Sequence, residues 1–223
     1  RKEITACFLF IVADFFFFLQ IRNEDFKCMF KQKTLFSQKT VKAMKVSGFT
    51  FIRNAIKYDY PVVESIRSIL PLCDEMVVAV GNSDDNTRDL IAGIDKKIRI
   101  IDTVWDDSLR VGGRVLAIET DKAFKAVSND SDWAFYIQGD EVMHEKYLDE
   151  VRTQMLKWKD DKRVEGLLFK YLHFYGSFDF VASSTRWYSH EIRVVRNDKS
   201  IYSFRDAQGF KIGNNRRLRV KPI

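Results

Sequence analysis

Cysteine, proline and histidine are scarce: 223 residues hold three of each. Cys7, Cys28 and Cys73 are scattered and form no CxxC pair. That excludes the usual disulfide and zinc frameworks, and reduced, buried thiols in a cytosolic protein are the expectation. A membrane-spanning run is also missing. Cys7–Ile21 is apolar but interrupted by Asp14, and it falls short of the ~20 residues a spanning helix needs. Arg1 and Lys2 ahead of this run would suit a signal peptide, but no small-x-small cleavage site follows. There is no internal repeat. Basic charge is lacking where a nucleic acid would need it. Of the formal +6, residues 1–45 carry +5 and residues 211–223 another +5, leaving −4 over 46–210. A nucleic-acid footprint belongs on the folded part, so no such partner is expected.

With 46% hydrophobic residues the chain can bury one sizeable core. It begins with Arg1, and Met44 directly precedes the first strand, so residues 1–43 read as an extension, poorly ordered or peripheral. Phe15–Phe18 would be costly to leave in water, which keeps an interfacial membrane anchor open for that segment. Residues 44–210 form the domain, and residues 211–223 a basic tail that reads as the start of a further segment. From Met44 the pattern alternates. Strands are predicted over Val46–Arg53, Glu75–Val80, Lys97–Thr103 and Trp133–Gln138. Helices are predicted after Pro61, over Arg88–Ile94 and over Arg114–Val127, the last with Val115, Leu116, Ile118, Ala123 and Phe124 inward. This order predicts an α/β fold with a mostly parallel sheet flanked by helices. Beyond it, a helix over Tyr147–Trp158 and strands over Val164–His173, Trp187–Arg196 and Ile201–Phe204 predict a mixed-sheet C-terminal part.

The informative stretch is Asp132–Glu145, DWAFYIQGDEVMHE. Trp133–Gln138 holds no charge, as a strand buried on both faces does. Gly139, Asp140, Glu141 and His144 follow at once. Carboxylates there stand at the carboxyl edge of the sheet, where open α/β sheets bind ligands. A solvated turn capped by acids would read the same way.

Taken together, FTFIRNAIKYDYP, VGNSDDNT at Val80–Thr87, Gln138-Gly139-Asp140, EIRVVRN and SFRDAQGF resemble, in order and spacing from about Val46 to Phe210, the bacterial family 2 glycosyltransferases of the GT-A fold. The resemblance implies an inverting transfer of a sugar from a nucleotide-diphosphate donor to a hydroxyl acceptor, as in cell-surface glycan synthesis. It implies a nucleotide-sugar donor, a glycan or lipid-linked acceptor, and a cytoplasmic enzyme for which association with the inner face of the membrane is open but not required. It implies a divalent cation, Mg²⁺ or Mn²⁺, held by Asp140, because hard carboxylate oxygens hold such ions. Gln138 stands where the family's first Asp falls and brings no charge; Glu141 or His144 could compensate, and His144 reads better as a surface residue at a helix start. Val80 and Gly81 stand where the family's paired acids fall.

On the same footing Arg53, Asn54, Asp84, Asp85, Gln138 and Arg193 are the donor-binding candidates. The bland alternative for Arg53, Asn54, Asp84 and Asp85 is loop and helix capping. Arg193 and Arg196 lie three apart on one strand and so on opposite faces; one is expected at the diphosphate and the other in solvent. Asp206 is the candidate base for the acceptor hydroxyl, with Asp179 second; an ion pair of Asp206 with Arg205 or Arg193 is the alternative. Trp187 and Tyr188 could stack on a sugar ring or simply be core. Two rival functions remain. A nucleotidyltransferase would place a Gly-rich phosphate loop after the first strand, and NAIKYDYP is no such loop. A non-catalytic GT-A-like protein binding a sugar nucleotide or glycan is the alternative that the Gln138 departure keeps open.

Overall fold

The computed structural model describes residues 9–12, 43–109, 111–182 and 187–223. The chain divides into two compact units, Arg1–Ala13 with Met44–Ile223, and Asp14–Ala43. The architecture below is that of the first. Of residues 1–43, read above as an extension, all but 9–12 and Ala43 lie outside the described residues.

In chain order the elements are β1 (Leu9–Val12), β2 (Val46–Ile52), α1 (Val62–Ile69), β3 (Glu75–Gly81), α2 (Thr87–Ala92), β4 (Ile98–Thr103), α3 (Arg114–Ala126), β5 (Trp133–Tyr136), β6 (Glu141–Met143), α4 (Leu148–Trp158), β7 (Gly166–Tyr175), β8 (Ser177–Val181), β9 (His190–Arg196), β10 (Ile201–Phe204), β11 (Gly209–Ile212), β12 (Arg216–Arg217) and β13 (Val220–Pro222). The main sheet has ten strands, ordered β4-β3-β2-β5-β9-β7-β1-β6, with β8 and β13 also on β7. β4, β3, β2 and β5 are mutually parallel. β9 joins antiparallel to β5, and β7 antiparallel to β9. This is the α/β arrangement the sequence predicts: parallel in its first half, mixed in its second.

The chain moves outward from β2 to β3 and β4, then crosses back to lay β5 on the other flank of β2. The strand order therefore reverses between β2 and β5, the place where α/β sheets open a crevice at their carboxyl ends.

Both faces are covered. On one, Ile66 and Ile69 of α1 and Val151 and Met155 of α4 pack on Val78, Trp133, Phe135, Leu167 and Phe169. On the other, Ala123 and Phe124 of α3 pack on Phe49, Val77, Ala134 and Tyr136. A three-stranded sheet, β10-β11-β12, closes the second face with Ile201, Phe210 and Ile212.

Several sequence expectations change. β5 ends at Tyr136, and Glu141, expected in a turn, opens a short strand. Ile201–Phe204 belongs to the second sheet. Leu116 and Ile118 of α3 are only partly covered; Ala117, Glu119 and Thr120 are buried with Ala123 and Phe124, because the contact stripe follows the i, i+3, i+4 row through Thr120. Residues 211–223, read as a tail, bury Ile212 and Leu218 and lay Val220–Pro222 along β7. Arg216 and Arg219 each reach Glu165 at 2.7 Å, so part of that basic charge is structural. Arg196, expected in solvent if Arg193 was not, is only 7% exposed. It lies 3.9 Å from the Trp133 ring centre and donates to the carbonyls of Val164, Lys159, Asp161 and Trp158. Those carbonyls end α4 and its following turn, and a guanidinium supplies the donors that a helix C-terminus lacks.

Phe49 links the layers: its ring lies 5.2 Å from Phe124, 5.2 Å from Tyr136 and 6.2 Å from Phe210. Phe49→Ala is expected to cost ~3–5 kcal/mol in denaturant unfolding. A loss under about 1 kcal/mol would mean that the second sheet does not pack as described.

Candidate functional site at the strand-order switch

The crevice predicted by the topology is present. A cleft of about 620 Å³ opens at the carboxyl ends of β2, β3, β4 and β5. Phe51, Arg53 and Asn54 line it from β2, Asp84 from the loop after β3, Trp105 from the loop after β4, and Gln138, Gly139 and Asp140 from the end of β5. Gly113, Val115 and Leu116 at the start of α3 form one wall, and Tyr58, Tyr60, Tyr188, Asp206 and Gln208 form the rim. Its volume is that of a small-molecule site.

The β2–β4 end is pre-arranged by local bonds. Asn54 adopts φ +53, which Asn tolerates better than most residues. Its side-chain oxygen accepts from the Asp84 backbone N–H at 2.7 Å. Asp84 also meets Lys57 at 3.1 Å, and that hydrogen bond holds its carboxyl below the usual range. Arg53 donates to the Asn82 carbonyl at 3.1 Å and to Asp107 at 3.1 Å, and its guanidinium lies 5.7 Å from the Trp105 ring centre. Gly81 makes that ring position possible, since a Cβ there would collide with Trp105 Nε1.

Asp140 lines the opposite end, half-buried. Burial, reinforced by the neighbouring Glu141 charge, pushes its carboxyl up to about 6. Glu141 cannot serve as the second metal ligand that the sequence allowed. It is fully buried, and both its oxygens are taken by Arg193, at 2.8 Å to Nε and 2.5 Å to Nη2. His144 Nδ1 accepts from the Lys146 N–H at the start of a 3-10 turn, beside the Glu145 carboxylate. Among the described residues no group of three His, Cys, Asp or Glu could hold a metal. This donor set does not fit a resident metal. Asp140 would bring a divalent cation one carboxylate.

Arg193 corrects a second expectation. It is 0% exposed, sits between the Tyr136 and Tyr171 rings, at 5.2 and 5.1 Å, and is not among the residues that line the cleft. Its Nη1 donates to the Gln208 carbonyl at 3.2 Å. Gln138 does something similar: its amide donates to Tyr136 Oη and to the Ala207 carbonyl, both at 3.2 Å. Both side chains thereby hold the β10–β11 turn, which carries Asp206. That turn holds Arg205 at φ +58 and Ala207 at φ +66, a backbone state that costs non-glycine residues of order 1 kcal/mol each. It rests on Gly113, where a Cβ would collide with that of Asp206. Asp206 Oδ1 is buried with no hydrogen-bond partner among the described residues.

Of the sequence candidates, Arg53, Asn54, Asp84, Gln138, Asp140 and Asp206 line one cleft. Asp85 does not; it accepts from the backbone N–H groups of Lys57 and Thr87, at 2.8 and 3.0 Å, and so caps the loops. Asp179 lies exposed on β8, bonded by Ser177. Tyr188 lines the rim, and Trp187 stacks on His173 at 5.0 Å. Sequence reasoning missed Trp105, Tyr60 and Gly113 as cleft residues, and Glu191 on β9. An aromatic residue just past a strand end and a Gly pair before a helix were the available signals.

No family model and no curated protein matches the chain. Solved structures similar to it include S. aureus TarS 1–349 in complex with UDP-GlcNAc, at 19% identity and TM-score 0.41, covering 56% of this chain and 33% of that one. Mannosyl-3-phosphoglycerate synthase from Rubrobacter xylanophilus is similar at 17% identity and TM-score 0.36, covering 56% and 39%. Glucosyl-3-phosphoglycerate synthase from Mycobacterium tuberculosis, in complex with Mn²⁺, UDP and phosphoglyceric acid, is similar at 19% and 0.36, covering 56% and 42%. The aligned part thus spans less than half of each of these proteins.

Burial, together with the charges of Glu141 and Asp206 and against Arg193, pushes the Glu191 carboxyl up to about 7. A carboxyl raised on folding favours the folded state below its unfolded pKa and loses that advantage as pH rises through the folded value. Glu191→Gln is therefore expected to gain stability relative to wild type between pH 5 and pH 8, by roughly 1–3 kcal/mol in urea unfolding. An equal difference at both pH values would contradict the raised carboxyl.

Proposed function

We propose that this chain is the catalytic part of a glycosyltransferase that moves a sugar from a nucleotide-diphosphate donor to a hydroxyl acceptor. One observation carries the reading: the switch-point cleft is lined by two carboxylates, the half-buried Asp140 and Asp206 on a turn with two positive-φ residues. The order of motifs along the sequence supports it independently.

The nucleoside lies over the ends of β2–β4, near Arg53, Asn54, Asp84 and the Trp105 ring, and its diphosphate points toward Asp140. A divalent cation there would be held by Asp140 together with the phosphates. When bound, it neutralises charge on the leaving diphosphate. The chain's own residues do the rest. The acceptor oxygen attacks the anomeric carbon from the face opposite the diphosphate. As the new C–O bond forms, the old one breaks, its electron pair leaves with the diphosphate, and the acceptor proton passes to Asp206. The anomeric configuration inverts. The acceptor is a glycan or a lipid-linked molecule. Among the described residues no helix is long and apolar enough to cross a membrane.

The neutral Gln138, with its amide tied to Ala207, favours a second reading, a protein that binds a sugar nucleotide without turning it over. Thermal shift with UDP, GDP, CDP and ADP, with and without Mn²⁺, followed by sugar-nucleotide turnover, separates the two. One nucleotide should stabilise the protein more with Mn²⁺, and Asp140→Asn should weaken that metal-dependent binding about tenfold or more. Asp206→Asn should bind the donor normally and lose ~10²–10⁴ in turnover. Full metal-dependent binding by the Asp140→Asn variant would reject Asp140 as ligand. Binding without turnover in the wild type would leave the second reading.

A further inference from the structure

β10, β11 and β12 pair antiparallel in unbroken register: Tyr202 stands opposite Lys211, and Lys211 opposite Arg217. Residues directly opposite share a face of a sheet, as do residues two apart on one strand. Tyr202, Phe204, Lys211 and Arg217 therefore lie together, on the side away from the buried Ile201, Ser203, Phe210 and Ile212. Arg217 is exposed and the other three are half-buried. Arg205, exposed just past β10, joins them. Its guanidinium lies 5.2 Å from the Phe204 ring centre, and Lys211 Nζ lies 5.1 Å from the same ring.

Other basic residues of this part are used by the fold. Arg216 and Arg219 pair with Glu165, and Lys199 donates to the Phe124 and Val127 carbonyls. Arg205, Lys211 and Arg217 have no acidic partner among the described residues. From Lys199 to Ile223 the only acid is Asp206, whose Oδ1 is buried. The face also ends at the cleft, because β10 runs directly into the turn where Asp206 follows Arg205.

We propose that the outer face of the β10-β11-β12 sheet docks on the surface of a bilayer that contains anionic phospholipid. This rests on the transferase reading above and deepens it: the acceptor is lipid-linked, and it reaches Asp206 from the surface on which the neighbouring sheet rests. Three unpaired cations complement anionic headgroups, and aromatic side chains among them suit the membrane–water interface. A soluble polyanion such as RNA fits less well. Two cations already lie against the Phe204 ring, so it offers no free platform for a base.

Co-sedimentation of the full chain with sucrose-loaded vesicles tests this, with phosphatidylcholine alone and with phosphatidylcholine and phosphatidylglycerol at roughly two to one. The wild type should bind the anionic vesicles about tenfold or more tightly than the neutral ones, and release them as NaCl rises from about 0.05 to 0.5 M. Combining Arg205→Gln, Lys211→Gln and Arg217→Gln should weaken that binding about tenfold or more. A charge-matched control combines Arg67→Gln, Lys146→Gln and Lys157→Gln. It removes exposed cations from α1, α4 and the turn before α4, on the other face of the main sheet, and should stay within about threefold of wild type. The proposal is overturned if the wild type sediments with neither vesicle, whether or not it binds poly(U) RNA. It is overturned too if the sheet variant binds anionic vesicles as wild type does, as it would if residues 1–43 alone held the lipid, or if the control loses as much. Calorimetry with UDP and Mn²⁺ on the same samples keeps the two claims apart. Failure of the wild type to bind nucleotide defeats the donor reading, while the vesicle comparison still judges the sheet face. Near-UV circular dichroism verifies that each variant is folded.

Discussion

One buried ion pair holds the site together. Arg193 and Glu141 are both 0% exposed, and the guanidinium meets the carboxylate through two bonds of 2.8 and 2.5 Å. Taking two charges out of water costs several kcal/mol per ion, which such a pair recovers only with good geometry and further hydrogen bonds. Arg193 has both. Its remaining donors reach the Ile192 and Gln208 carbonyls, and two tyrosine rings flank it. The pair adds little net stability over an apolar replacement, yet removing one partner would strand the other at a cost of ~3–5 kcal/mol. What the pair does is positional. Glu141 is the residue after Asp140, and Gln208 lies two residues after Asp206. A single rigid guanidinium therefore ties the segment that carries Asp140 to the turn that carries Asp206.

The strained turn follows from that constraint. Neither Arg205 nor Ala207 is a residue that favours positive φ, and both adopt it. The turn persists because it is over-determined: Gln138 holds the Ala207 carbonyl, Arg193 holds the Gln208 carbonyl, Ala207 is fully buried, and Gly113 leaves room for the Asp206 backbone. Strain kept in place by surrounding contacts is the common situation at functional sites. The same contacts explain why Gln138, neutral where an acid was expected, stands at the end of β5. An amide can donate to a carbonyl, and a carboxylate cannot.

Much of this was legible in the sequence. The β2–β5 strands were readable because fully buried parallel strands are apolar without interruption, as Trp133–Tyr136 is. A glycine and an acid placed just past such a strand put Asp140 at the carboxyl edge. The candidates Arg53, Asn54 and Asp84 came with the strand ends that carry them. What failed did so for physical reasons. Alternation along β9 correctly separates Arg193 from Arg196, but says nothing of what each will meet. Arg193 found a carboxylate 52 residues away, and Arg196 found the carbonyls at and past the end of α4. Asp85 could serve a ligand or the backbone, and the backbone N–H groups of Lys57 and Thr87 were nearer. Glu191 opens the EIRVVRN stretch, but the groups around it come from β6, β7 and the β10–β11 turn, which only the fold assembles.

Everything turns on what enters the cleft between Asp140 and Asp206. A crystal structure of the protein grown with UDP and Mn²⁺ tests this most directly. The expected result is the base and ribose over the ends of β2–β4 and the diphosphate and metal within coordinating distance of an Asp140 oxygen, with Asp206 and the turn unmoved. A nucleotide bound elsewhere, or a diphosphate in the cleft with the Asp140 carboxylate turned away from it, would contradict it.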